Sequence, residues 1–512
     1  MSCRRTATRT PCAASSRRPP GTTPISLASW HYSEVRLPCR WSFARLAQAV
    51  ERLAAGLVAS GIGRGDRVAL HLRNGPEIAV ACLACFRIGA IAAPLNVRLK
   101  QAELDDVLRR LRPAVYIGQQ ELYRHVVAVD RSILPLHARF LADAAGDATA
   151  RPWTDLHAAP EAGGLPHAAA PDAPILLLMT SGTTGYPKFV AHSLRTLTEI
   201  ADRTVHLGLR AGQVHAFFLP MAHMSGLAVF LAGIRLGGRL VLCDAGDPDS
   251  ILDQVERHRC DCMAALPATM ALLMQSQRRQ PRDVSSLRVC LTAGDACPPG
   301  QQEAFQALFG LPLLSFWAST EAVGSLAPGL RPGAVSRVVP GAEIRIVDDH
   351  GNDVPPGMQG EMLLRGPNVM LGYWQRPGVV SGLENGWYRS GDQMRLDAGG
   401  NAWFVARLKE LIVRGGSNIA PAEVERAILA HPAARDAGVV GVPDPVLGQR
   451  VVAFVQLAEA GDDVLPDIRR SLSTQLADYK LPDRLFRIDS IPRTPIGKVD
   501  RQRLLALAAD WL

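Results

Sequence analysis

The sequence predicts an α/β protein with a large N-terminal domain of helix-covered parallel sheets, a small β-barrel subdomain and a small α+β C-terminal domain. Three observations carry this. Strand-like and helix-like runs alternate over roughly 250 residues, the rhythm of parallel strands joined by crossover helices. From Glu343 the rhythm changes to short strands (343–347, 361–364) broken by Gly and Pro turns, as in a small antiparallel barrel. After Arg407 comes a compact mixture of helix (421–429) and strands (437–442, 451–457), read as a separate domain over 407–512. At 512 residues the chain is too long for one compact core.

Residues 1–40 are set apart from the rest. They carry seven arginines, no lysine and one acid, Glu34, so most of the chain's formal charge of +8 sits there. The basic balance is thus a property of a disordered or atypical tail and does not point to nucleic acid. The Arg and Ser bias is that of a transit peptide, several prolines oppose an amphipathic helix, and an altered start is the other reading. No apolar run reaches the length of about 18 residues that crosses a bilayer, because Arg87, Arg235 and Arg239 interrupt the best candidates. The ten cysteines are scattered. Cys82 and Cys85 fall in an Ala-rich apolar run and read as core residues, and unpaired thiols fit a reducing cytoplasm.

From Ser42 the pattern is regular. Phe43, Leu46, Val50, Leu53, Ala54 and Leu57 recur at helical spacing behind Ser42 as N-cap, and a strand follows at 68–72. Between them Gly61, Gly63 and Gly65 form a turn: a dinucleotide fingerprint would need Gly where Asp66 stands, and would follow a strand. Helices at 76–87 and 102–112 alternate with a strand at 114–117. Residues 142–174, rich in Ala, Gly and Pro, read as a loose surface connection. Strand-like runs resume at 175–179, 217–219, 239–243 and 287–291.

The first chemical signal follows the strand at 175–179. Thr180, Ser181, Gly182, Thr183, Thr184 and Gly185 are small enough to bring several backbone N–H groups and hydroxyls around one anion, and Lys188 adds a point charge. This is not a Walker A loop, because Pro187 stands where that motif needs its second Gly. The run TSGTTGYPKFVAHS, 180–193, resembles the phosphate loop of the adenylate-forming superfamily, which includes acyl-CoA and aryl-CoA synthetases, luciferases and the adenylation domains of peptide synthetases.

Further motifs of that superfamily follow in its order. His223, with Ser225 and Gly226 in the run FLPMAHMSG, matches the His at the mouth of the acid pocket; a purely structural His is the alternative. Ala293-Gly294-Asp295-Ala296 is similar to the adenine loop, with Ala for the usual first Gly. Asp295 could accept from the adenine amino group or simply make a turn. Trp317-Ala318-Ser319-Thr320-Glu321 resembles Tyr-Gly-x-Thr-Glu. By that resemblance Trp317 stacks on adenine, Thr320 donates to the α-phosphate and Glu321 ligates Mg²⁺, while the extra methyl of Ala318 either narrows the acid pocket or weakens the nucleotide fit. Asp392, in GWYRSGD, matches the ribose carboxylate, which can accept from two vicinal hydroxyls, and Arg407 adds a ribose or phosphate contact, preceded by Ala406 instead of Gly. Lys409 matches the hinge, Gly415 and Gly416 the permissive CoA path, and Lys498 in PRTPIGK the catalytic Lys.

The resemblance implies an adenylation domain over 41–406 and a mobile C-terminal lid over 407–512 that turns about Lys409. It implies ATP, Mg²⁺ and CoA, with Lys498 serving acid activation, and it admits a homodimer. The expected function is an ATP-dependent acid–CoA ligase acting on a fatty or aryl acid, with no nucleic-acid partner. A stand-alone adenylation enzyme loading a carrier protein is the first alternative. A weakened nucleotide-binding homologue, given Trp317, Ala318 and Ala406, is the second.

Overall fold

The computed structural model describes residues 26–30, 39–157, 170–180, 187–244, 246–294, 297, 299–329, 335–348, 350–377, 379–407, 411–457, 464–492 and 499–511. Four sheets organise them. In the first, of nine strands, Arg67–His71 lies between Ile91–Pro94 and Val115–Gly118 with both pairings parallel. Val68, Ala69 and Leu70 are fully buried, as expected of apolar strands covered on both faces. The helices Pro76–Ile88 and Gln101–Leu111 make the crossovers. Beyond Pro174–Thr180 this sheet turns antiparallel, through Lys188–Ser193 and then Gly372–Arg376.

Helix Phe43–Ala59 begins as its sequence dictates: the Ser42 hydroxyl accepts from the Arg45 N–H at 3.1 Å, and Leu46, Val50, Leu53 and Leu57 are buried. Cys82 and Cys85 are fully buried in the same core, where desolvation pushes the Cys82 thiol up to about 12. The loose connection expected over 142–174 is corrected at its start. Arg151–Pro152 extends the nine-stranded sheet, and the turn Trp153–Leu156 carries a fully buried Leu156. Gly56 permits this, since a Cβ there would lie 1.5 Å from the Leu156 carbonyl oxygen. One well-placed Leu and Trp outweigh an Ala- and Gly-rich average.

The second sheet has seven strands, in the order Leu313–Ser315, Val289–Thr292, Cys262–Ala265, Val214–Phe217, Arg239–Leu242, Ser26–Trp30 and Cys39–Ser42. Ser26–Trp30 lies within the stretch expected as a tail, yet it pairs in parallel at Trp30 with Leu242. The strand expected at 217–219 ends at Phe217, which leaves 218–223 to run over the end of the sheet.

The third sheet is antiparallel. Its path runs from Leu326–Pro328 through Ser336–Val338, Asn401–Arg407, Trp387–Leu396 and Gln359–Arg365 to Glu343–Val347, and among the described residues that path is open. The smaller C-terminal domain has a five-stranded sheet built on the hairpin Ala434–Asp444 and Gly448–Leu457, flanked by helices Pro421–Leu429, Val464–Gln475 and Arg501–Trp511. Among the described residues no helix is long and apolar enough to cross a membrane.

Candidate active site

The carboxyl ends of both parallel sheets open onto one cleft of about 900 Å³. The first sheet delivers Arg73 and Asn74 after Arg67–His71, Asn96 and Arg98 after Ile91–Pro94, and Thr180. The second delivers Pro220 and His223 after Val214–Phe217, Leu266 after Cys262–Ala265, Gly294 after Val289–Thr292, and Ala318 to Glu321 after Leu313–Ser315. The antiparallel sheet adds Asp392, and the C-terminal domain adds Gly415, Gly416, Glu423 and Lys480.

Thr180 and Lys188 flank residues 181–186 and face each other in the ladder, so both ends of the phosphate-loop segment stand at the cleft. Lys188 Nζ lies 4.5 Å above the Tyr373 ring. The Tyr373 hydroxyl donates to Glu321 Oε1 at 2.9 Å. Burial, with the neighbouring Glu321 charge, raises the Tyr373 pKa, so this phenol is a neutral donor. Glu321 is 8% exposed on the cleft wall.

Asp392 is buried and lines the cleft. Its N–H donates to the Ser390 hydroxyl at 3.1 Å, and the Trp317 indole N–H donates to its Oδ2 at 2.8 Å. Trp317 is not among the residues lining the cleft; its described role is to hold this carboxylate. The backbone of Arg407 is the ladder partner of Asp392.

His223 caps the helix Met224–Arg235 and opens to the cleft with Ser225. Surrounding protein and the Arg98 charge lower its pKa, which favours the neutral ring. Gly226 is buried behind them, and a Cβ there would stand 2.3 Å from the Pro220 carbonyl oxygen. Gly294 lines the cleft in a left-handed turn with φ of 89°. Ser181, Gly182, Thr183, Thr184, Gly185, Asp295, Ala296, Lys409 and Lys498 lie outside the described residues.

Four positioning side chains escaped the sequence reading. Tyr373 lies 52 residues from the Glu321 it holds. Asn74 accepts from the Met221 N–H at 2.9 Å and donates to the Leu219 carbonyl at 2.8 Å, fixing the run that presents His223. His192 is fully buried, with Nε2 2.9 Å from the Thr320 carbonyl oxygen and Nδ1 3.1 Å from the Thr196 hydroxyl. A carbonyl only accepts, so Nε2 carries the proton. Desolvation lowers this histidine to about 4. The fourth, Lys480, pairs with Glu103 and Glu423 where the two domains meet. Only His192 stood inside a recognised motif; the others pair across distances no local pattern encodes.

Compared with known proteins, residues 23–374 match the family described as AMP-binding enzyme, and residues 423–498 match the AMP-binding enzyme C-terminal domain. Over 498 residues the chain is 34% identical to indoleacetate–CoA ligase of Aromatoleum aromaticum, covering 93% of this chain and 95% of that one. It is also 34% identical over 493 residues to medium-chain fatty-acid–CoA ligase of Escherichia coli, covering 90% and 84%. A solved amide bond synthetase from Marinactinospora thermotolerans superimposes with a TM-score of 0.82 at 28% identity, covering 91% and 95%.

Proposed function

Because the chain belongs to the AMP-binding enzyme family, we propose how the groups around its cleft divide the work of an AMP-forming acid–thiol ligase. The enzyme activates a carboxylic acid as acyl-AMP, releasing pyrophosphate, and then transfers the acyl group to the thiol of CoA. The observation that carries our assignment is convergence: Lys188, His223, Thr320, Glu321 and Asp392 come from distant segments and line the same cleft.

A carboxylate is a poor acyl donor because its leaving group would be an oxide. In the first step its oxygen attacks the α-phosphorus of ATP in line with departing pyrophosphate, and negative charge grows on equatorial and leaving oxygens. Thr320 donates to the α-phosphate and Lys188, with Thr180 and residues 181–185, positions the β- and γ-phosphates. Lys498 supplies positive charge to this step. Asp392 accepts from the ribose hydroxyls with Arg407 beside it, and residues 294–296 border adenine. His223, Ser225 and Gly226 form the mouth of the acid pocket.

Glu321 fits a hard divalent cation, since it is a carboxylate on the cleft wall next to Thr320. Among the described residues no group of three or more His, Cys, Asp or Glu side chains is gathered, so phosphate oxygens would supply further ligands. Held by Glu321, Mg²⁺ would neutralise charge developing on the phosphates.

In the second step the thiol reaches the acyl-adenylate past Gly415 and Gly416 after the C-terminal domain turns about Lys409. Leu207, Leu209, Val229, Leu291 and Phe316 are among the residues lining the cleft, which supports a fatty or aryl acid with an uncharged tail. The buried cysteines Cys82, Cys85, Cys243, Cys260, Cys262 and Cys290, outside any disulfide among the described residues, support a cytoplasmic setting. Pyrophosphate release across fatty and aryl acids, followed by CoA or a phosphopantetheinylated carrier as acceptor, tests this reading. Release that requires an apolar acid and thioester formation with free CoA are expected. Background release with every acid would instead favour a nucleotide-binding homologue.

A further inference from the structure

Lys188, Thr320, Glu321 and Asp392 all belong to the large domain, whereas the C-terminal domain meets the cleft chiefly through the turn 415–418 and Lys480. The two domains are joined by a buried charged cluster that the reaction as described does not use. Lys480 Nζ lies 2.6 Å from Glu103 Oε1, on the helix Gln101–Leu111, and 2.8 Å from Glu423 Oε1, on the helix Pro421–Leu429. The lysine is 3% exposed. Glu103 is itself fixed, because its Oε2 accepts from the Lys100 N–H at 3.1 Å at the start of its helix.

Other contacts follow the same seam. Lys100 Nζ is 3.3 Å from Asp478 Oδ1, and the Arg98 guanidinium sits 4.8 Å above the Tyr479 ring. At the cleft the fit is close: Gly416 has φ of 75°, and a Cβ there would stand 2.4 Å from Leu266 Cδ1. The flanks of the Lys498 segment are anchored elsewhere. Ile491 and Val499 pack around Gly438 within the C-terminal domain, and neither Pro492 nor Val499 lines the cleft. The orientation that clamps Lys480 therefore brings the turn 415–418 to the cleft, and not the flanks of that segment.

We propose that Lys480, bridging Glu103 and Glu423, is a positioning residue for thioester formation, docking the C-terminal domain so that the turn 415–418 walls the passage taken by the thiol. This rests on the reading that the CoA arm passes Gly415 and Gly416. In the step served, the sulfur attacks the acyl carbon, a C–S bond forms, the bond from acyl carbon to phosphate oxygen breaks, AMP leaves with the electron pair and the thiol proton passes to water. One cation bridging a carboxylate from each domain ties the two together in a single orientation, and a second cation in place of Glu103 would repel it at low dielectric.

Glu103 lies outside the cleft and is the residue to change. Acyl-adenylate is measured as hydroxamate with hydroxylamine in place of CoA, thioester formation with CoA, and domain docking by small-angle X-ray scattering. Glu103→Gln should lower the thioester rate about tenfold and Glu103→Lys about a hundredfold, with hydroxamate formation within about twofold of wild type. Lys480→Arg, which keeps the charge, should restore more of the thioester rate than Lys480→Met. A parallel fall of both rates in Glu103→Lys would reduce the cluster to a general structural role, and an unchanged thioester rate would overturn the proposal outright. Absence of hydroxamate from wild type with every acid counts against the ligase reading instead. Scattering still decides the docking claim in that case, which fails if Glu103→Lys leaves the profile unchanged.

Discussion

The cleft wall and the wall formed where the two domains meet hold their carboxylates in different ways. On the large-domain side, Glu321 and Asp392 each accept from a neutral aromatic donor, the Tyr373 hydroxyl and the Trp317 indole N–H. On the interdomain side, Glu103 and Glu423 share the ammonium of Lys480. A neutral donor orients a carboxylate without cancelling its charge, so that charge stays available to a cation or to sugar hydroxyls. A shared ammonium offsets one of the two carboxylate charges it orients and ties the surfaces that carry them together. His192, a third neutral donor, fixes the Thr320 carbonyl on the first wall.

The sharpest way to break this contrast is to remove charge from the dipole-held wall. Glu321→Gln keeps an acceptor for Tyr373 and loses only the charge, and acyl-adenylate formation should fall on the order of a hundredfold or more. ATP–pyrophosphate exchange reads this, with the melting temperature expected to stay within a few degrees. Asp392→Asn should act next most strongly, raising the KM for ATP about tenfold to a hundredfold with a smaller change in kcat, as expected when ground-state binding of the ribose is lost. An Asp392→Asn enzyme with unchanged KM would detach this residue from the nucleotide.

Removing the donors instead of the acids should give milder effects and separate the two sites. Tyr373→Phe frees Glu321 to rotate and should lower kcat for pyrophosphate exchange about tenfold, whereas Trp317→Phe should act mainly on the KM for ATP, through Asp392, by about threefold to tenfold. If Trp317→Phe and Asp392→Asn are combined, their effects on KM should be less than multiplicative, because both work through one carboxylate. Full multiplicativity would mean that Trp317 meets the nucleotide independently.

How much of this was legible in the sequence depends on the range of the interaction. Helix Phe43–Ala59 could be placed from Ser42 and the spacing of its leucines because capping and amphipathicity act within a few residues. The expected strand at 343–347 and helix at 421–429 coincide with elements of the structure for the same reason. Thr180, Lys188, His223, Thr320, Glu321 and Asp392 could be nominated because each sits in a short motif whose chemistry is local, and they share one cleft. What could not be read were partners across sequence distance. Nothing near Trp317 announces a bond to Asp392, 75 residues on, and nothing near Lys480 points to Glu103, 377 residues before it. The buried Leu156 shows the same limit, since its pocket is made by a missing side chain at Gly56.

The smallest expected effect concerns pH and tests the neutrality of the first wall directly. His192 titrates at about 4 in the folded protein and near 6.5 when unfolded, because burial disfavours its cation. Above pH 6.5 both states are neutral and the difference vanishes. Between 6.5 and 4 the unfolded chain binds a proton that the native state does not, so stability falls as pH drops through that window and levels below it, by about 3 kcal/mol for one such group. His71 and His215, also buried and lowered to about 3 and about 4, add slopes of the same sign. His192→Gln keeps an N–H for the Thr320 carbonyl and cannot titrate, so it should remove about a third of the slope these three histidines supply in melts taken from pH 7 to 4, with pyrophosphate exchange at pH 7.5 within about threefold of wild type. An unaltered slope would mean that His192 is protonated in the native state. Its hold on Thr320 would then be ionic, and the distinction between the two walls would fail at the residue where it is most finely drawn.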